Sequence, residues 1–247
     1  GKWNFSGPEL FFDRARRFNL HVQAILPDPS SGWASTGAPE TRGKRLGDAY
    51  EDLWHLPQSM DAYRHYAYEC IKRYRDVTDT WEVLNEPFER KCRQWKIEES
   101  YDDFLTAVKE QAARLDPHLQ IMRCGLHYLD HAEPANARAA QSADILSEHI
   151  YPQYNNTLKF LGHITRITDF QKRHGAKKPI WFTEYGKYSS DHPNIGHAEF
   201  AHFLANGNER TATAYNVKYL TILFSHGVDK VFFHQRTWPL GLNLRSH

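Results

Sequence analysis

The sequence is poor in cysteine and methionine and almost balanced in charge. Its 247 residues include three Cys and two Met. Cys70, Cys92 and Cys124 are too few and too scattered for a disulfide framework or a four-thiolate zinc site. Against 31 Lys and Arg stand 30 Asp and Glu. No overall electrostatic pull therefore draws the chain to nucleic acid or to an anionic membrane. No apolar run approaches the roughly 18 residues of a membrane span, and no signal peptide opens the chain. The Gly-x-Ser-x-Gly elbow, the phosphate loop and Gly-x-Gly-x-x-Gly are absent, which excludes the common serine-hydrolase and nucleotide-binding signatures. Fifteen histidines do not assemble a zinc motif. His127 and His131 lack an acidic partner in register, and His197 and His202 frame Ala-Glu-Phe-Ala rather than His-Glu-x-x-His. No catalytic metal and no cofactor are expected.

Aromatic residues are plentiful: 7 Trp, 13 Tyr and 14 Phe make 14% of the chain. Such rings stack on sugars, but they also fill cores. With 40% hydrophobic and 25% charged residues the composition is that of a folded globular protein. The length favours one domain over 1–247.

Helical and strand patterns alternate. Helical spacing runs over 8–18, with Pro8 in the first turn. A β-rich run follows at 20–27 and stops at Pro27. Residues 28–58, rich in Pro, Gly and Ser, read as a long loop. Helices are predicted over 59–75, 100–115, 134–141, 159–175 and 209–227, the last two stopping on Gly175 and Gly227. Ser100 and Asp103 form only a loose capping box. Strands are predicted at 80–87, 119–125, within 143–152, at 178–186 and at 228–235. Six strand–helix steps imply an α/β fold with parallel strands.

Two strands end on a glutamate: Glu86 in Trp81-Glu82-Val83-Leu84-Asn85-Glu86-Pro87, and Glu184 in Pro179-Ile180-Trp181-Phe182-Thr183-Glu184-Tyr185-Gly186. In a closed parallel barrel the carboxyl ends of all strands share one face, where both acids would converge. Two carboxyl groups cleave a glycosidic bond when one protonates the leaving oxygen and the other attacks the anomeric carbon or activates water. A spacing of roughly 5–5.5 Å gives retention, and roughly 6.5–9.5 Å gives inversion. A lone strand-end glutamate is usually a solvated or salt-bridged side chain; the pair in matching contexts points to an active site.

The segment WEVLNEP resembles the strand-4 Asn-Glu-Pro motif of clan A glycoside hydrolases, and IWFTEYG resembles their strand-7 nucleophile motif. The resemblance implies a (β/α)8 TIM barrel and a retaining double displacement. It makes Glu86 the acid/base, Asn85 the neighbour that binds the sugar 2-hydroxyl, and Glu184 the nucleophile. His149 and Tyr151 match a strand-6 His-x-Tyr whose aromatic hydroxyl orients the nucleophile. Trp238 matches a tryptophan flooring the sugar subsite, although its spacing from the last strand is long. Gly1-Lys2-Trp3-Asn4-Phe5 is similar to the phrase after strand 2, and 27–35 to the loop after strand 3. The nearest flavour is the β-xylosidase/α-L-iduronidase family.

On this reading the chain is one catalytic barrel domain, 1–247, with about six β/α units that correspond to strands 3 to 8. Strands 1 and 2 and the last helix are expected to be missing. A partner segment could complete the barrel, whose open edges would otherwise be unpaired. The expected partner is an oligo- or polysaccharide or a glycoside. The alternative is a non-catalytic carbohydrate-binding or scaffold protein, or an inactive fragment, derived from such a barrel. Trp33, Trp54 and Trp95 are candidate sugar platforms in loops. His234 is a candidate substrate contact. Arg42, Lys44 and Arg45 form a basic cluster able to meet a uronate. Cys70 reads as core, and Tyr185 as wall or core. Asn4-Phe5-Ser6 and Asn155-Asn156-Thr157 are glycosylation sequons, meaningful in a secreted eukaryotic protein. A secreted or extracytoplasmic location is the favoured expectation.

Overall fold

The computed structural model describes residues 3–30, 34–37, 45–46, 49–50, 55–87, 100–125, 133–152, 156–175, 177–186 and 208–234. The chain divides into two compact units: Gly1–Cys124 with Ala132–Asp144, and Gly125–His131 with Ile145–His247. Each holds three parallel strands with helices between them, so the fold is α/β as the alternating pattern predicts. Among the described residues no helix is long and apolar enough to cross a membrane.

In the first unit α1 (Ser6–Arg17) leads to β1 (Gln23–Leu26), and α2 (Met60–Tyr74) leads to β4 (Thr80–Val83). Then come α3 (Tyr101–Leu115), β5 (Gln120–Arg123) and α4 (Glu133–Ser142). β4 lies between β1 and β5, parallel to both. The stretch predicted as plain loop contains a short antiparallel pair, β2 (Arg45–Leu46) and β3 (Ala49–Tyr50). Two-residue strands are too short to show a period of two, so the sequence carries no signal for them.

Helix α2 forms because Ser59 accepts the Asp61 N–H at its start, satisfying one of the amides that no carbonyl inside the helix can reach. Its buried face carries Tyr63, Ala67, Cys70, Ile71 and Tyr74, the three-and-four spacing of an amphipathic helix. Phe12 of α1 stacks on Tyr74 at 3.8 Å, and Phe104 of α3 meets Tyr63 edge-on at 4.7 Å. The capping box at Ser100 does not form. Ser100 has φ −98° and ψ 2° and makes no side-chain cap bond; an N-cap hydroxyl normally needs extended backbone to turn back on the helix.

The second unit contains β6 (Ile145–Ile150), α5 (Thr157–His174), β7 (Ile180–Tyr185), α6 (Glu209–Ser225) and β8 (Lys230–Phe233). β7 lies between β6 and β8, parallel to both. Asn156 and Asn208 cap α5 and α6. Gly175 ends α5 at φ 62° and Gly227 follows α6 at φ 82°, left-handed positions where a side chain would cost energy. Phe160 stacks on Tyr219 at 4.3 Å to join the two helices.

An aspartate clasps the start of a strand in each unit. Asp144 accepts the Ile121 N–H at 2.9 Å, and its own N–H donates to the Ile121 carbonyl at 2.8 Å. Asp229 repeats both bonds with Ile180. The Asp229 clasp pairs the residue just before β8 with the start of β7. A one-residue slip of β8 against β7 would break both bonds and turn every side chain of β8 to the other face.

Candidate active site

In the first unit β4 is buried at every position and ends at Val83, not at Pro87 as the sequence suggests. Leu84 has φ 60° and Glu86 φ 46°. Both non-glycine residues sit in the left-handed region, which turns the chain out of the strand at a cost of order 1–3 kcal/mol each. The turn is held from β1: Leu84 N–H donates to the Leu26 carbonyl at 2.9 Å, and Asn85 N–H to the Pro27 carbonyl at 3.0 Å. Asn85 and Glu86 are half-buried and Pro87 is buried.

A residue the motif reading missed fixes the root of this turn. Tyr101, at the start of α3, is 1% exposed. Its hydroxyl donates to the Val83 carbonyl at 2.8 Å and accepts the Cys124 N–H at 2.8 Å. It thereby satisfies the last carbonyl of β4 and the amide just past β5. Its sequence signal is one more tyrosine on an amphipathic helix, which does not announce the role.

In the second unit Glu184, on β7, lies opposite His149 on β6, next to a register irregularity between Glu148 and His149. The irregularity re-aims side chains at that point. Three groups converge on Glu184 Oε2. The Tyr151 hydroxyl donates to it. His149 Nδ1 lies 3.5 Å away and His234 Nε2 3.7 Å away, each an ion pair when its imidazole is protonated. The Tyr151 and His234 rings meet edge-on at 5.5 Å. His149 is buried, and the Glu184 side chain retains 24% exposure. Among the described residues no partner falls on Glu184 Oε1. Among the described residues the carboxylate is thus held through one oxygen only.

The sequence reading named Glu184, His149, Tyr151 and His234 from three strands, and the second unit brings all four together. Asn85 and Glu86 share the turn in the first unit. Trp33, Trp54, Trp95, Trp238, Arg42, Lys44, Cys92, His127, His131, His197, His202 and Asn155 lie outside the described residues, as does the Arg45 side chain. Tyr185 is core: it is fully buried, and its hydroxyl donates to Asn216 Oδ1 at 2.9 Å. Cys70 is buried, and burial pushes its thiol up to about 12. In the first sequon Asn4 Oδ1 accepts both the Ser6 N–H and the Ser6 hydroxyl, at 3.1 and 2.8 Å, a local role at the start of α1.

No family model matches the chain. It is similar to probable mannan endo-1,4-beta-mannosidase C of Aspergillus terreus, 26% identical over 185 residues, covering 64% of this chain and 44% of that protein. In fold it resembles a glucosidase from Croceicoccus marinus, with TM-score 0.67, 12% identity and coverage of 94% of this chain and 46% of the other. It also resembles a beta-galactosidase from Bacillus circulans sp. alkalophilus, with TM-score 0.62, 14% identity and coverage of 95% and 43%. A monomeric beta-xylosidase from Caulobacter crescentus gives TM-score 0.60, 13% identity and coverage of 94% and 49%. All four are glycosidases, and this chain spans less than half the length of each.

Proposed function

We propose that the chain carries the catalytic machinery of a retaining glycoside hydrolase. Its strands would be strands 3 to 8 of a clan A (β/α)8 barrel within one catalytic domain, and its substrate a glycoside or an oligo- or polysaccharide. The observation that supports this best is the state of Glu184. Tyr151, His149 and His234 hold one carboxylate oxygen, and the other is left to attack. A nucleophile oriented in this way loses little freedom on reaching the anomeric carbon.

Glu86 protonates the departing oxygen. The leaving group departs as the bond from Glu184 Oε1 to the anomeric carbon forms, giving a glycosyl-enzyme ester. Glu86, now a carboxylate, takes a proton from water in the second step; water attacks the anomeric carbon and Glu184 is released. Asn85 donates to the 2-hydroxyl, a bond that strengthens in the transition state. The left-handed backbone at Glu86 also supports the reading, because strained non-glycine positions cluster at functional sites. The relatives leave the sugar open, since a mannosidase, a glucosidase, a galactosidase and a xylosidase all occur among them.

The test uses aryl glycosides with wild type, Glu184→Gln and Glu86→Ala. Wild type should release product with the anomeric configuration retained, read by NMR in the first seconds. Glu184→Gln should lose at least 10³-fold in kcat, as removal of a covalent nucleophile does. Full turnover by either variant, or an inverted first product, would refute the assignment. Sugar binding by a folded wild type without hydrolysis would favour a non-catalytic carbohydrate-binding descendant.

A further inference from the structure

The first unit contains a cavity of about 460 Å³ that the carboxylate chemistry does not use. An apolar cavity of roughly 150 Å³ holds one benzene ring, and small-molecule sites run from roughly 300 to 1,000 Å³. The space is therefore that of a ligand of one or two rings. Its walls come from the segment before α1, the chain just after β1, and helix α2. Trp3, Phe5, Tyr63, Tyr66 and Tyr74 line it, together with prolines and alanines. Trp3 lies near-parallel to Phe5 at 5.9 Å and to Tyr66 at 6.4 Å, and stays 41% exposed.

The wall also carries the Asn4, Asp28, Ser30 and His65 side chains and the Tyr63 hydroxyl. Ser30 Oγ donates to the His55 carbonyl at 3.2 Å, and Asn4 Oδ1 is taken by Ser6. A sugar ring would set most of its hydroxyls against ring faces, prolines and alanines, where losing water unpaired is costly. An aromatic ring loses little by the same move and gains the faces and edges of the surrounding rings.

The position of the cavity matters as much as its lining. Asp28 and Pro29 line it, and they directly follow Pro27, whose carbonyl accepts the Asn85 N–H. The wall thus lies one residue along the chain from the Pro27 carbonyl that holds the turn at Asn85. We propose that this cavity is an aryl pocket that takes the aromatic aglycone of the glycoside whose leaving oxygen Glu86 protonates. The word aglycone rests on the glycosidase reading; aryl binding does not.

The probe is 2-naphthol, titrated by calorimetry into wild type, Trp3→Ala and Ala62→Trp. Ala62 lines the cavity on α2, so tryptophan there fills it, whereas Trp3→Ala removes an exposed wall at little risk to folding. Binding should be saturable in wild type and at least tenfold weaker in both variants. In turnover, Ala62→Trp should lower kcat/KM for a 2-naphthyl glycoside at least tenfold and leave the methyl glycoside of the same sugar unchanged. Absence of naphthol binding, or equal binding by all three proteins, overturns the pocket. Displacement of naphthol by a methyl pyranoside at similar concentration reassigns it to sugar and also overturns it. Naphthol binding with no aryl preference in turnover overturns the aglycone assignment. Naphthol binding by a chain that hydrolyses no glycoside leaves the aryl pocket standing and removes the glycosidase reading.

Discussion

Two buried tyrosines in the first unit make opposite predictions for the same chemical change. Tyr101→Phe removes a hydroxyl that serves the Val83 carbonyl and the Cys124 N–H, both at 2.8 Å. The ring stays, so packing is kept, but two buried backbone groups lose their partner. Each unsatisfied group costs about 1–3 kcal/mol, so the variant should lose about 2–6 kcal/mol. Tyr63 is as deeply buried, and its hydroxyl has no hydrogen-bond partner among the described residues. Tyr63→Phe removes a desolvated group that gains nothing in return and should be neutral or stabilising. Urea denaturation followed by circular dichroism measures both. With a slope of about 2 kcal/mol per M, Tyr101→Phe lowers the midpoint by about 1–3 M and leaves the slope alone. Amide exchange gives a local check, since the Cys124 N–H should exchange faster in Tyr101→Phe and not in Tyr63→Phe. A Tyr101→Phe midpoint within about 0.2 M of wild type, or a larger loss in Tyr63→Phe, would refute the hydrogen-bond accounting.

Two further outcomes follow from the described contacts. Tyr151→Phe takes the hydroxyl from Glu184; a hydrogen bond to a charged group is worth about 1.5–3 kcal/mol, so kcat/KM on an aryl glycoside should fall roughly 10–150-fold with the fold intact, and unchanged kinetics would sink the orienting role. The Arg16 guanidinium grips Asp76 through Nε and Nη2 at 2.7 and 3.1 Å and lowers the Asp76 carboxyl below its ordinary value of 3.8. A depressed folded value means stability that is present above the unfolded value and lost as pH falls through the folded one. Asp76→Asn should therefore melt slightly below wild type near pH 7, by less than about 1 kcal/mol for so exposed a pair, and the gap should close below about pH 4 in calorimetry.

The sequence reveals what depends on period and punctuation. Among the described residues, helical spacing marks the long helices and apolar, β-rich runs mark the strands of three residues or more, and Gly175 marks the end of α5 because few other residues accept φ 62°. Glu184, His149, Tyr151 and His234 are legible because a strand end is recognisable locally and the motif supplies their order. The end of β4 is not legible. Leu84 and Glu86 carry no glycine to announce a left-handed turn, and only tertiary bonds from Leu26 and Pro27 hold them there. Tyr101 is hidden for the same reason, since its partners are backbone atoms 18 and 23 residues away. Glu82 and Arg123 also break expectation. Both are almost fully buried on strands, where parallel sheets usually carry apolar runs. Gln23 donates to Glu82 at 3.2 Å, and the Arg123 guanidinium lies 6.0 Å from the Tyr101 ring.

The turn at Glu86 offers a direct measure of what the site costs the fold. An L-residue in the left-handed region loses about 1–2 kcal/mol that glycine does not. Glycine's greater freedom in the unfolded chain returns about 0.5–1 kcal/mol of that advantage. Glu86→Gly should therefore be more stable than Glu86→Ala by up to about 1 kcal/mol, since both remove the side chain and only glycine relieves the strain. On the proposed mechanism both variants lose the proton donor, so the more stable of the two is also inactive toward glycosides with poor leaving groups. Parallel melts of the three proteins decide the matter. If Glu86→Gly melts below Glu86→Ala, the backbone at this turn is not strained, and the inference from strain to function at Glu86 fails.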